Sequence, residues 1–227
     1  MRNPKPAQPG VLDKTYALGR QTKKSWRYRL KRRTYEIIRS INKYCPSKKK
    51  SILDIGAAEG LMLSAIKRMS PEAKCVGLEY SKELIERNRD EKINLVQGDA
   101  QDLPFQNDSF DIVTAAAVIE HLPQPAKMLA EARRVLKKDG VLIMTTPDPF
   151  FEKIAGMIGH LDKEKHLETF NLKKLKKCLE DAGFQILLAE KFMLSPMGFP
   201  LELKIEKLLK LFKLDFILLN QIIVGKK

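Results

Sequence analysis

Ser51-Ile-Leu-Asp-Ile-Gly-Ala-Ala-Glu-Gly60, followed directly by Leu61-Met-Leu-Ser-Ala-Ile-Lys-Arg-Met69, reads as a short strand, a small-residue turn and an apolar helix. Gly56 and Gly60 bound the turn. Glycines there let the backbone approach a ligand closely. The N–H groups that open the helix have no partners within it, so they form a polar cradle. The stretch therefore points to a nucleotide-like cofactor.

The next strand, Cys75–Glu79, ends in an acid 19 positions after Gly60, with Tyr80 beside it. An acid at that tip suits the two hydroxyls of a ribose. A nicotinamide dehydrogenase would place an acid there too, but its G-x-G-x-x-G turn is absent, because Ala57, Ala58 and Glu59 separate the two glycines. A third strand, Ile93–Gln97, leads into Gly98-Asp99-Ala100, so Asp99 stands at a third strand end. Strands at Asp111–Ala115 and Val141–Thr145 follow, with helices at 61–69, 82–89 and 126–136 between them. Strand alternating with helix calls for an α/β fold, a doubly wound parallel sheet covered on both faces. Asp111 sits where it would anchor the loop before its strand rather than touch a cofactor. A helix over 34–44, a helix at 173–182 ended by Gly183, a strand at 184–192 and a last strand at 216–224, interrupted by Asn220 and Gln221, complete the pattern.

These motifs together resemble the class I S-adenosylmethionine-dependent methyltransferases, in the type 11-like subgroup. The residues that carry the likeness are Leu53-Asp-Ile-Gly-Ala-Ala-Glu-Gly60, Leu103-Pro-Phe-Gln-Asn-Asp-Ser-Phe-Asp111 and the run from Glu131 to Pro147. The resemblance implies a Rossmann-like sheet of seven strands in three α/β/α layers, the last strand antiparallel between the fifth and sixth. It implies S-adenosylmethionine as cofactor. Gly56, Ala58 and Gly60 would line its methionine portion and Asp54 would orient the amino group. Glu79 would bind the ribose, with Tyr80 beside the adenine. Asp99 and Ala100 would hold the adenine edge, and Ala115 and Ala116 would border the sulfonium. Ala58 stands where the family often has a second glycine; a positive φ there would cost about 1 kcal/mol. His166-Leu-Glu-Thr-Phe170 is similar to the H-x-x-x-F segment of small-molecule members. His166 and His121 are thus candidate general bases, with a hydrogen-bonded structural role as the alternative for each.

The chain has 227 residues and a formal net charge of +14. Residues 1–50 carry sixteen Lys and Arg against two acids, and residues 51–227 carry equal numbers of each sign. A basic N-terminal arm and helix (1–50) and a neutral catalytic domain (51–227) follow from that asymmetry. The arm, with Trp26, Tyr28 and Tyr35 among its cations, points to an anionic partner, nucleic acid or a membrane surface. Three scattered cysteines suit a reducing compartment and show no metal pattern. Pro4, Pro6 and Pro9 stand where a secretory signal would need an apolar run, and no run spans a bilayer. A cytoplasmic location is expected, with peripheral attachment to the inner face of a membrane as its variant.

Segments 147–170 and 195–213 are expected to cover the acceptor crevice. In the second, a helix over 201–212 carries Leu201, Ile205, Leu208, Leu209 and Phe212 on one side, with lysine at 204, 207, 210 and 213. The apolar side is expected to pack on the sheet; a basic amphipathic helix lying on a membrane is the alternative. The first functional expectation is methyl transfer to a small molecule such as a quinone, lipid precursor or sugar. RNA or tRNA methylation through the basic arm stands second. A non-catalytic, cofactor-binding regulatory domain stands third.

Overall fold

The computed structural model describes residues 18–19, 22–149 and 167–227. The candidate base His166, His160, the arm before Leu18 and most of the crevice-covering segment lie outside them. The elements in chain order are α1 (Lys24–Tyr44), β1 (Ser51–Ile55), α2 (Leu61–Met69), β2 (Lys74–Glu79), α3 (Lys82–Ile85), β3 (Asn94–Gln97) and β4 (Phe110–Ala116). Then come α4 (Pro125–Val135), β5 (Leu136–Pro147), α5 (Leu172–Asp181), β6 (Gln185–Phe192), α6 (Glu202–Leu211) and β7 (Asn220–Lys226).

One seven-stranded sheet runs in the order β3-β2-β1-β4-β5-β7-β6. The first five strands of that order pair in parallel, and β7 is antiparallel to both β5 and β6. The sequence alternates with a period of two, so each strand serves two cores. Leu53, Ile55, Val113, Ala115, Leu142 and Met144 face α4 and α5. Ile52, Ile112, Val141 and Ile143 face α1 and α2, where Ile37 and Ile41 of α1 are fully buried. The helix of the basic segment is therefore part of the folded body. β1 and β4 are neighbours whose crossovers leave to opposite sides, and the crevice of such a sheet opens at their carboxyl ends.

Three boundaries and one helix face differ from the sequence expectation for reasons the structure shows. Helix α3 ends at Ile85, not Arg89, because the Asn88 side chain captures the loop through the N–H of Asp90 and the carbonyls of Asp90 and Ile93. β5 begins at Leu136: it pairs with Phe110, then bulges through Lys137–Gly140 before Val141 rejoins β4. β7 begins at Asn220, because 215–217 forms a 3-10 turn. Asn220 and Gln221 do not interrupt the strand. Asn220 Oδ1 accepts from Arg33 Nε at 3.0 Å, and Gln221 Nε2 donates to the carbonyls of Pro147 and Phe170.

The fourth difference is a matter of face. The apolar side of α6 does not pack on the sheet. Its buried residues are Glu202 and Glu206. Arg32 of α1 binds Glu206, the Tyr28 hydroxyl donates to Glu202, and the N–H groups of Leu194 and Ser195 also donate to Glu202 at 2.8 Å. Arg32 pairs with Glu36 as well. The leucines of α6 point outward, for a reason set by charge pairing rather than by hydrophobicity.

Candidate cofactor site

The turn after β1 is built from left-handed residues. Gly56, Ala58 and Gly60 have φ of +71°, +50° and +80°. The N–H groups of Gly56 and Ala57 donate to the Leu78 carbonyl at 2.8 and 3.0 Å, which ties the turn to the end of β2. Ala58 therefore does carry the strain that a glycine would relieve. A Cβ on Gly56 would fall 2.5 Å from Cγ2 of Val118, in the loop after β4. The turn and that loop are thus packed as tightly as a bare backbone allows.

Glu79 closes the arrangement. Its carboxylate accepts from the N–H of Ala58 at 2.8 Å through Oε2 and from the N–H of Ser81 at 2.9 Å through Oε1. Asp54, buried at the end of β1, accepts from the hydroxyl of Thr114, its register partner on β4, at 2.8 Å. Asp99 holds a tight turn: its Oδ1 accepts from the N–H of Gln101 at 2.8 Å, and the Gln101 side chain folds back on it. Ala100 and Ala115 are buried, Ala116 is half-buried and Tyr80 is exposed beside them.

Register brings these groups to one edge. Ile55 pairs with Leu78 and with Ala115, Glu79 with Gln97, and Ala116 with Thr145. Adjacent strands lie about 4.8 Å apart, so the ends of β1, β2, β3 and β4 form a continuous rim. His121 lies past that rim, closing the 3-10 turn Ile119–His121. The Glu120 carbonyl in the same turn accepts from the N–H of Leu167 at 2.9 Å, so the chain returns to the crevice at that point.

Sequence reasoning missed Thr114 and Val118. Thr114 carried a signal, a lone hydroxyl among the apolar, buried residues 112–115 of β4; Val118 carried none. It also gave no role to the clamp under Leu103–Asp111. The carboxylate of Glu131 accepts from the Leu103 N–H, while Arg134 donates to the carbonyls of Leu103 and Phe105. Phe105 stacks edge-on to Phe110 at 5.2 Å. Asp111 anchors the opposite end of the sheet, accepting from the Ser51 N–H and hydroxyl and from Lys137. Burial pushes its carboxyl up, but those three donors outweigh burial and hold it below the ordinary range.

Comparison with known proteins gives the chain's family and fold. A family model described as a methyltransferase domain matches residues 28–189. The demethylmenaquinone methyltransferase of Lactobacillus johnsonii is 30% identical over 172 residues, covering 63% of this chain and 70% of that protein. The chloroplastic 2-methyl-6-phytyl-1,4-hydroquinone methyltransferase 2 of Oryza sativa subsp. japonica is 36% identical over 106 residues, covering 44% of this chain and 30% of that protein. The chain thus spans between 30% and 70% of the length of these curated relatives. Among solved structures, a SAM-dependent methyltransferase from Thermotoga maritima superimposes with a TM-score of 0.68 at 19% identity, over 94% of this chain and 95% of that one.

Proposed function

The chain belongs to the S-adenosylmethionine-dependent methyltransferase family, and we propose that it transfers the cofactor's methyl group to a small-molecule acceptor of the hydroquinone type. The observation that carries the reading is the Glu79 carboxylate, which locks the left-handed turn at Ala58 to the tip of β2. Acceptor chemistry at the rim fits the cofactor. A buried carboxylate at Asp54 suits an ammonium group, Glu79 suits paired ribose hydroxyls, and Asp99 suits an exocyclic amine. Two relatives named for quinone substrates support the acceptor class.

The sulfonium supplies an already activated methyl group when bound. The work left to the protein is positioning, and good alignment can replace roughly 7–11 kcal/mol of barrier. Asp54, fixed by Thr114, and Glu79, fixed by two backbone N–H groups, would hold the ligand's ends at set points on the sheet. A base is needed only where the acceptor atom arrives protonated. His121, the one imidazole among the described residues, ends the 3-10 turn that follows β4 and is the candidate for that base.

The test uses the full chain with methyl-labelled S-adenosylmethionine and a panel of hydroquinones, scored by a mass gain of one methyl. Label in a hydroquinone supports the reading. Cofactor binding by calorimetry without label in any of the panel would overturn the acceptor class, and failure to bind the cofactor would overturn the whole reading.

A further inference from the structure

Helix α6 exposes the face its sequence marks as apolar. Glu202 and Glu206 are each 3% exposed, whereas Leu201, Leu208 and Phe212 are 64%, 54% and 64% exposed. Pairing with Tyr28 and Arg32 fixes that rotation, so the leucines stand outward in the folded protein and are not a frayed edge. Isolated surface leucines are ordinary, but a contiguous apolar strip marks an interaction site.

The surroundings of the strip are basic. Lys204, Lys207 and Lys213 are exposed along and just past α6. Tyr28 and Arg32 meet Glu202 and Glu206, four positions apart on each helix, so α1 and α6 run side by side in the same sense. Lys24, Arg27 and Lys31 recur along the exposed side of α1 at helical spacing. The two helices together present aliphatic side chains bordered by cations.

Topology gives the strip its position. β6 runs in the same direction as β5, and α6 leaves the end of β6 and returns to the start of β7. Phe192 and Pro147 both pair with Asn220 there. That is the edge at which β1 and β4 open the cofactor crevice. The strip therefore lies on the crevice side of the molecule.

We propose that α6 and the adjoining face of α1 dock on an anionic phospholipid bilayer, with the α6 leucines entering the interface and the flanking lysines meeting headgroup phosphates. A nucleic acid offers no apolar phase to aliphatic side chains. A second copy of the chain would bring the lysine border against itself. The proposal goes beyond the methyl-transfer reading and does not rest on it, because bilayer binding is scored without cofactor or acceptor.

The experiment is flotation of the full chain with phosphatidylcholine vesicles, with and without phosphatidylglycerol, at low and high salt. The expected result is flotation with the anionic vesicles, weakened by salt. Leu201→Ser with Leu208→Ser should weaken partitioning by ~10-fold or more for each leucine withdrawn. Lys204→Gln with Lys207→Gln should weaken it by ~5-fold for each lysine, on anionic vesicles alone. An unchanged thermal midpoint shows that each variant is folded. Absence of flotation by the full chain overturns the proposal, as does equal flotation on both vesicle types or a leucine variant that floats as the parent does. A lipid-free dimer that the leucine variant converts to monomer, without flotation, assigns the face to self-association instead.

Discussion

Gly56→Ala tests how tightly the cofactor turn is built. The φ of +71° at this position is left-handed. An L side chain there costs ~1–2 kcal/mol, offset by ~0.4–1 kcal/mol from stiffening the unfolded chain. The larger part is steric, since the new Cβ would lie 2.5 Å from Val118 Cγ2. Displacing a packed side chain costs ~1–3 kcal/mol, so the net loss comes to ~2–3 kcal/mol by the same reasoning. Urea unfolding of Gly56→Ala, Val118→Ala and the double variant measures it. Removing the Val118 methyls should return ~1–2 kcal/mol of the loss, appearing as a coupling energy in the double-mutant cycle. Cofactor affinity, read by calorimetry, should fall in Gly56→Ala, because its N–H and that of Ala57 anchor the turn on Leu78. A single variant within ~0.5 kcal/mol of the parent, or a cycle with no coupling, would refute the close-packed turn.

Thr114→Val keeps the shape of a fully buried side chain and deletes the donor to Asp54; a loss of ~1–3 kcal/mol in urea unfolding is expected, with weaker cofactor binding by calorimetry. Arg32→Met takes the buried Glu206 away from its guanidinium and leaves Glu36 with the half-exposed Arg39 alone, at a cost of ~3–5 kcal/mol. Burial already raises the Glu206 carboxyl above its ordinary value, partly countered by Arg32. A raised carboxyl gives stability that is lost as pH rises through its folded value, so the Arg32→Met deficit should grow from about pH 5 to about pH 8, read by unfolding at both. Asp111 has the opposite sign: its lowered carboxyl stabilises above the ordinary carboxylate range and loses that contribution as pH falls through the folded value. Asp111→Asn should therefore be less stable than the parent at neutral pH, with the gap closing in an acid titration followed by circular dichroism.

Strands β1 and β4 were legible because their apolar runs are short, β-branched and bounded by Gly, Asp or Ala, and α2 matched residue for residue. The start of β5 was not legible, since Lys137-Lys138-Asp139-Gly140 has the composition of a turn and Asp139 does sit at φ +65°, yet the four residues form a bulge inside a continuous strand. Nor was the start of β7, where Asn220 and Gln221 find partners on α1, β5 and the loop before α5 that lie far away in the chain. The strand-end acids could be read from position alone because register places strand tips together. What each acid bonds to could not. Thr114 meets Asp54 only through pairing of β4 with β1, and Glu79 reaches Ala58 only because the turn folds back over β2.

The misread face of α6 has its cause in α1. Ile37 and Ile41 set the rotation of α1 by filling the core, and that rotation carries Arg32 inward to 5% exposure. A buried guanidinium without carboxylates is costly by ~3–5 kcal/mol. Glu36 alone offers one partner on the same helix, so α6 supplies Glu206 and adds Glu202 for Tyr28. Burying a leucine or phenylalanine gains ~1.5–3 kcal/mol each, and the leucines of α6 forgo that gain within the protein. Apolar periodicity counts only one side of this competition. The clue to the other side lay 170-odd positions upstream, in a charged residue on the inward stripe of a helix whose apolar spacing had already fixed which way it faced. A bilayer at the same edge would return to those leucines the transfer energy that the salt-bridge network withholds.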